Sequence, residues 1–166
     1  KNMLFRNRST CCCLNHPFPI WCPCARRSCT NDVVNPVLSE SFGVFNNTLT
    51  GTIAQEDNLP LNLIQIGGGG INSNGAGSII LSAGTYQISY FASGTVPVSE
   101  TLSIKLRLNA VDVPGSVISE TQTAGDFATV TQTIVINAPQ DGAILEVVNN
   151  STSTNFGLAS VFIRRI

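Results

Sequence analysis

An all-β antiparallel sandwich of the jelly-roll kind is predicted for residues 36–166, with residues 1–35 forming an extended, cysteine-rich N-terminal arm. Three observations carry this prediction. Apolar residues recur with a period of two, as in strands with one buried face, and no segment shows the 3.6 period of a helix. Clusters of turn-forming residues interrupt these runs at regular intervals. Asn, Ser and Thr supply 47 of the 166 residues, whereas Asp, Glu, Lys and Arg supply only 11%. Thr favours strands, and Asn and Ser favour the turns between them.

The elements follow in chain order. Residues 43–45, 61–66 and 78–81 are short β-forming pieces. Tyr86, Ile88, Tyr90 and Ala92 then alternate with Thr85, Gln87, Ser89 and Phe91. Leu102, Ile104, Leu106 and Leu108 alternate with Ser103, Lys105, Arg107 and Asn109, which predicts a strand dry on one face and solvated on the other. Thr129, Thr131 and Thr133 alternate with Val130, Gln132 and Ile134. Residues 143–148 and 156–166 are rich in β-branched and aromatic side chains. Turn signals separate these runs at Ser82-Ala83-Gly84, Pro114-Gly115, Ala124-Gly125-Asp126, Pro139-Gln140-Asp141-Gly142 and Asn149-Asn150-Ser151. Eight to ten short strands are expected. A domain of about 130 residues buries roughly two-thirds of its unfolded surface, so it does not need disulfides to fold.

Charge divides the chain. Residues 1–30 carry Lys1, Arg6, Arg8, Arg26 and Arg27 with no acid, and residues 31–166 carry four basic and ten acidic residues. The net charge of −1 lacks the basic excess of a nucleic-acid binder. An apolar fraction of 43% is too high for a disordered chain. No run of 18 apolar residues suits a membrane span, and residues 1–8 hold no signal-peptide core.

All six cysteines, Cys11, Cys12, Cys13, Cys22, Cys24 and Cys29, lie in the arm. Consecutive side chains of an extended chain point apart, so the thiols of Cys11, Cys12 and Cys13 need partners elsewhere. Cys22, Cys24 and Cys29 supply them within one chain, or the bonds run between subunits. Pro17, Pro19 and Pro23 bias the arm toward extended structure, and Phe18, Ile20 and Trp21 need an apolar surface that the arm lacks. A zinc site built from these thiols and His16 is the competing reading. It is disfavoured because two C-x2-C knuckles are missing and His16 is the only histidine.

No catalytic machinery stands out, and no cofactor is expected. A Ser-His-acid triad would have to use His16, in the proline-rich arm. Glu100 with Glu120 is a conceivable glycosidase pair that nothing selects. Gly67-Gly68-Gly69-Gly70 lacks the Gly-Lys-Ser/Thr ending of a phosphate loop, so residues 67–77 are read as a mobile surface loop. Lys105, Arg107, Arg164 and Arg165 are read as solvated strand faces in preference to a basic patch. Asn-X-Ser/Thr triplets begin at Asn7, Asn46, Asn149 and Asn150, and matter only in a eukaryotic secretory setting.

Three segments carry a resemblance beyond periodicity. They are Gly84-Thr85-Tyr86-Gln87-Ile88-Ser89-Tyr90, the stretch from Leu106-Arg107-Leu108-Asn109 through Val113-Pro114-Gly115-Ser116, and Asn155-Phe156-Gly157-Leu158-Ala159-Ser160-Val161-Phe162-Ile163. In this order they resemble the C-terminal domain of BclA-type exosporium glycoproteins of spore-forming bacilli, a member of the complement/tumour-necrosis-factor-like (TNF-like) jelly-roll superfamily. Where those proteins carry a collagen-like Gly-X-Y stalk, the cysteine arm stands. Cys12-Cys13 followed by Cys24 is similar to the N-terminal connector of endospore appendage (Ena) subunits, and Cys11, Cys22 and Cys29 depart from that spacing.

The resemblance implies a structural, non-enzymatic protein: an extracellular subunit on the surface of a bacterial spore, in the exosporium or coat. Its copies would polymerise as a helical fibre, cross-linked by disulfides from Cys11, Cys12, Cys13, Cys22, Cys24 and Cys29, alongside anchor and tip proteins of the spore surface. The alternative is a soluble or exosporium-attached trimer, as TNF-like domains often form, that recognises glycans or a receptor.

Overall fold

The computed structural model describes residues 40–75, 77–95, 101–121 and 127–166, and only the backbone of Ser153. The arm with its six cysteines, and the expected boundary between residues 35 and 36, lie outside the described residues.

Twelve strands form among the described residues: β1 (Phe42–Thr48), β2 (Thr52–Ala54), β3 (Asn62–Gly67), β4 (Ile71–Ser73), β5 (Ile79–Leu81), β6 (Gly84–Thr95), β7 (Thr101–Leu108), β8 (Val111–Asp112), β9 (Ile118–Thr121), β10 (Phe127–Ala138), β11 (Ala143–Asn149) and β12 (Ser153–Arg165). They make two sheets. The first runs β10-β6-β12-β1-β3, with β2 also beside β12, and the second runs β4-β5-β11-β7-β8, with β9 also beside β7. Every pairing is antiparallel. This is the jelly-roll sandwich that the period-two pattern predicts.

The inward faces interdigitate as one core. Tyr86, Ile88, Tyr90 and Ala92 of β6 face Leu102, Ile104 and Leu106 of β7, and all are at most 1% exposed. Phe45, Leu81, Leu145, Val161 and Ile163 complete the packed layer. Covering a side chain of this size stabilises by about 1.5–3 kcal/mol each, which the entropy of ordering the chain largely offsets.

Two tyrosines carry polar tips into this core, and both are satisfied. The Tyr90 hydroxyl donates to the Ser116 carbonyl and lies 2.6 Å from Gln132 Oε1; burial pushes its pKa up to about 12. The Tyr86 hydroxyl reaches the carbonyl oxygens of Ser82 at 2.9 Å and Gly70 at 3.1 Å. Ser116, fully buried, ties the Pro114-Gly115 turn to β7, because its Oγ accepts the Leu106 N–H at 3.0 Å and donates to Val113 O at 2.7 Å.

Strand β12 shifts register between Phe156 and Leu158 as it crosses β6. Gly94 makes that crossing possible. A Cβ there would lie 2.6 Å from the Asn155 carbonyl oxygen and 3.0 Å from Phe156 Cα, both backbone atoms that cannot swing away.

Three expectations need correction. Strand β7 is not dry on one face only, since Ser103 and Lys105, on its other face, are each 6% exposed. The glycine-rich stretch is not simply loop. Ile71–Ser73 forms β4 and pairs with β5, and Ile71 is 1% exposed in the core. The strands also exceed eight to ten, because β2, β4 and β8 are only two or three residues long.

Candidate functional site

The outer face of the first sheet differs from an ordinary solvated surface. Antiparallel register lines up residues of four strands across it, β1, β12, β6 and β10. One row is Val44, Phe162, Ser89 and Thr133; the next is Asn46, Ser160, Phe91 and Thr131; on the other side lie Phe42, Arg164, Gln87 and Val135. Phe162 is 43% exposed, Val135 60%, and Leu158 38%. Phe127, at 61%, stands at the end of β10 with its ring near Gly157.

In these rows only Arg164 is charged, and its guanidinium pairs with Glu40 at 2.9 Å. The rest is apolar, hydroxyl or amide. Depletion of charge together with exposed aromatic side chains is characteristic of the centres of protein interfaces.

The opposite sheet carries a network of four charges on its outer face. Lys105, on the outer face of β7, has a side chain only 8% exposed, held between Glu56 Oε1 at 2.9 Å and Asp112 Oδ2 at 2.8 Å. Arg107 bonds the same two carboxylates, Glu56 through Nη2 and Asp112 through Nε at 3.3 Å. This network fastens the turn after β2 and the β7–β8 hairpin onto one strand.

The Lys105 ammonium, hydrogen-bonded to both carboxylates, holds Glu56 and Asp112 below the usual carboxylate range. Asp112, then Glu56, in turn raise the pKa of Lys105. The carboxylates are more acidic folded than unfolded, so their contribution is full above the unfolded value of about 4 and is lost as pH falls through the folded values. The raised Lys105 contributes below its unfolded value and loses that only far into the alkaline range. The urea midpoint is therefore expected to stay flat from neutral pH to about 5 and to fall below about 4. The double variant Glu56→Gln/Asp112→Asn should flatten that acid limb; an unchanged limb would exclude this network as its source.

The remaining candidates separate. Cys11, Cys12, Cys13, Cys22, Cys24, Cys29 and His16 lie outside the described residues, as do Asn7 and Glu100. Glu120 Oε2 accepts the Thr129 N–H at 2.9 Å. The four cations form no patch and are not simply solvated: Lys105 and Arg107 belong to the second sheet, Arg164 and Arg165 to the first. Arg165 donates to Ala83 O at 2.6 Å and lies 6.0 Å from the Tyr86 ring centre. Asn149 is fully buried and is no acceptor for a glycan. Among the described residues, no group of three His, Cys, Asp or Glu side chains is placed to hold a metal, and no helix is long and apolar enough to cross a membrane.

A two-sheet antiparallel jelly roll with a charge-poor outer face on one sheet defines the class structurally. Comparison with solved structures narrows it to the TNF/C1q-like jelly roll. The chain is similar to murine APRIL, with a TM-score of 0.59 at 9% identity over 76% of this chain and 99% of that one. The globular domain of zebrafish complement 1qA protein gives 0.59 at 13% identity, over 76% and 96% of the two chains. The vertex protein P5 of PRD1 gives 0.51 at 16%, again over 76% and 96%. No protein-family model matches the sequence, and no curated protein matches it. Likeness at this identity establishes the fold and leaves function to the site.

Proposed function

We propose that this chain is a non-enzymatic, self-associating module whose jelly-roll body forms a homotrimer through the outer face of the first sheet and presents its loops to a ligand. The observation that carries this is the charge-poor face across β1, β12, β6 and β10, with Phe162 at its middle. The same face repeated on identical copies meets no charge repulsion, and three copies closing around an axis would bury Phe162, Leu158 and Val135 together. The resemblance to TNF-like domains, which often trimerise, supports the stoichiometry.

A second reading is favoured by a different observation. Six cysteines within 30 residues stand in a segment of charge +5, and the remaining 136 residues carry ten acids against four bases and no cysteine. With the resemblance to endospore appendage connectors, this supports a structural subunit of a fibre on a bacterial spore, joined copy to copy by arm disulfides in an oxidising extracellular setting. A head-to-tail joint that does not close gives an open filament.

Electron microscopy of the purified full chain, with and without thiol reductant, decides between the two. Filaments that survive detergent and shorten or dissolve on reduction establish the fibre. Discrete trimers in both conditions establish the binding module and exclude the fibre.

A further inference from the structure

At one end of the second sheet, the outer face holds a depression of about 440 Å³ that takes no part in the assembly face. Its floor is Ser103 of β7 and Ser151 of the β11–β12 turn, 6% and 5% exposed. The Ser103 N–H donates to Ser151 Oγ at 2.7 Å, and Ser151 Oγ donates back to Ser103 O at 3.1 Å. Asn150 closes the floor: its N–H donates to Ser103 O at 2.9 Å and its Nδ2 to Ser103 Oγ at 3.0 Å. Buried and mutually bonded, these groups are held in one arrangement before any ligand arrives.

The walls are polar and neutral. Ser119 of β9 stands directly opposite Ser103 in the strand register, and its hydroxyl takes no bond among the described residues. Thr101 shares its hydroxyl with Thr121 at 3.0 Å. The Gln55 carboxamide sits on the rim and makes only a 3.5 Å contact, to Asn150 O. Asn150 keeps its Oδ1 and one amide proton unbonded among the described residues. Against these stands one apolar side chain, Val117, 55% exposed. Among the described residues, no charged side chain lines the depression.

We infer that this depression is a binding site for a neutral sugar residue. Each lining side chain but Val117 offers a hydroxyl or an amide, able to give or take a hydrogen bond, which matches the hydroxyls of a neutral hexose or N-acetylhexosamine. The Val117 methyls provide the apolar patch on which the C–H face of a sugar ring rests. A phosphate, a sulfate or an acidic sugar would find no cation among the described residues here, so anionic ligands are selected against by desolvation. The site is shallow and mostly polar, unlike the apolar clefts that hold small molecules tightly. A single sugar is therefore bound weakly, at about millimolar affinity, and useful avidity comes from several copies of the site on one assembly. The site deepens the binding-module reading and rests on it for that avidity.

The experiment is saturation-transfer NMR on the full chain, which works for trimers and larger assemblies alike. The probes are N-acetylglucosamine, glucose and galactose, with glycerol, inorganic phosphate and N-acetylneuraminic acid as controls. Transfer to at least one neutral sugar is expected to exceed that to every control. Ser119→Tyr, which fills the depression, should weaken that sugar about tenfold, and Gln55→Ala should weaken it about threefold. Thermal unfolding of both variants shows that the fold is kept. Transfer no greater than to glycerol, or unaltered by both variants, overturns the site. Sedimentation of the same samples separates the two proposals. Sugar binding by a monomer keeps the site and removes the trimer, and a trimer without sugar binding does the reverse.

Discussion

Replacing Asn149 by Ala is expected to cost about 3 kcal/mol of folding stability, read as a lower free energy of urea unfolding. The residue is fully buried where β11 ends. Its Nδ2 donates to the carbonyl oxygens of Ile53 at 2.8 Å and Ala54 at 3.2 Å, and its Oδ1 accepts the Ser151 N–H at 2.8 Å. Its backbone bonds the same segment, with Glu56 N–H donating to Asn149 O at 2.8 Å and Asn149 N–H to Asp57 O at 2.9 Å. The side chain thus fastens the short strand β2, and the backbone the turn after it, to the second sheet. Ala removes both donors and the acceptor: the buried Ser151 N–H loses its partner, and the carbonyls of half-buried Ile53 and exposed Ala54 lose theirs, three bonds worth about 1 kcal/mol each. Asn149→Asp keeps the acceptor, loses the donors and buries a charge, so it should be no milder. The neighbouring Asn150→Ala gives up one side-chain bond, to Ser103 Oγ, and should cost about 1 kcal/mol or less. A cost for Asn149→Ala as small as that would show that β2 is held by other means.

Asn149 also shows what a sequence reveals and what it hides. The triplet Asn149-Asn150-Ser151 is legible as a turn, because small polar residues after a β-branched run end a strand. Its bond to β2 is not legible, since Ile53 lies 96 positions away and three-residue strands leave no periodicity. The same distance explains Lys105. Alternation places it on the outward face, as found, but the carboxylates that bury it come from Glu56, 49 positions earlier, and from Asp112 across a hairpin. The long strands β6, β10 and β12 are legible because each repeats its pattern over 12 or 13 residues. Short β4 borrows its stability from β5 and from Ile71 in the core, and a run of four glycines disguises it. The candidate assembly face falls between these cases. Phe91, Thr131 and Thr133 stand on the outward side of readable alternations, but only the register across β12 sets Phe162 between Val44 and Ser89.

That register makes Phe162→Glu the sharpest trial of the proposed trimer. In the single subunit Phe162 is 43% exposed, so a carboxylate there stays hydrated, and folding stability should change by no more than about 0.5 kcal/mol. In a trimer closed over this face, three carboxylates would be driven into a region where Arg164 alone among the aligned rows is charged, and Glu40 already pairs it. Stripping water from an unpaired carboxylate costs several kcal/mol even after relaxation, and the cost recurs in every subunit. Sedimentation at micromolar concentration should therefore give a mass near one chain for the variant and near three for the parent, with unchanged circular dichroism and a urea midpoint lowered only by the association that is lost. Ile144→Lys is the matched control, since Ile144 is 41% exposed on β11 of the other sheet and lies outside the proposed interface. It should leave the trimer whole. A trimer that survives Phe162→Glu removes this face from the interface, and one that dissolves only with Ile144→Lys moves the interface to the second sheet. Reductant enters the same measurement as an independent variable. Association that persists in Phe162→Glu until thiols are reduced would be carried by the arm cysteines, and the fibre reading would then stand without the trimer.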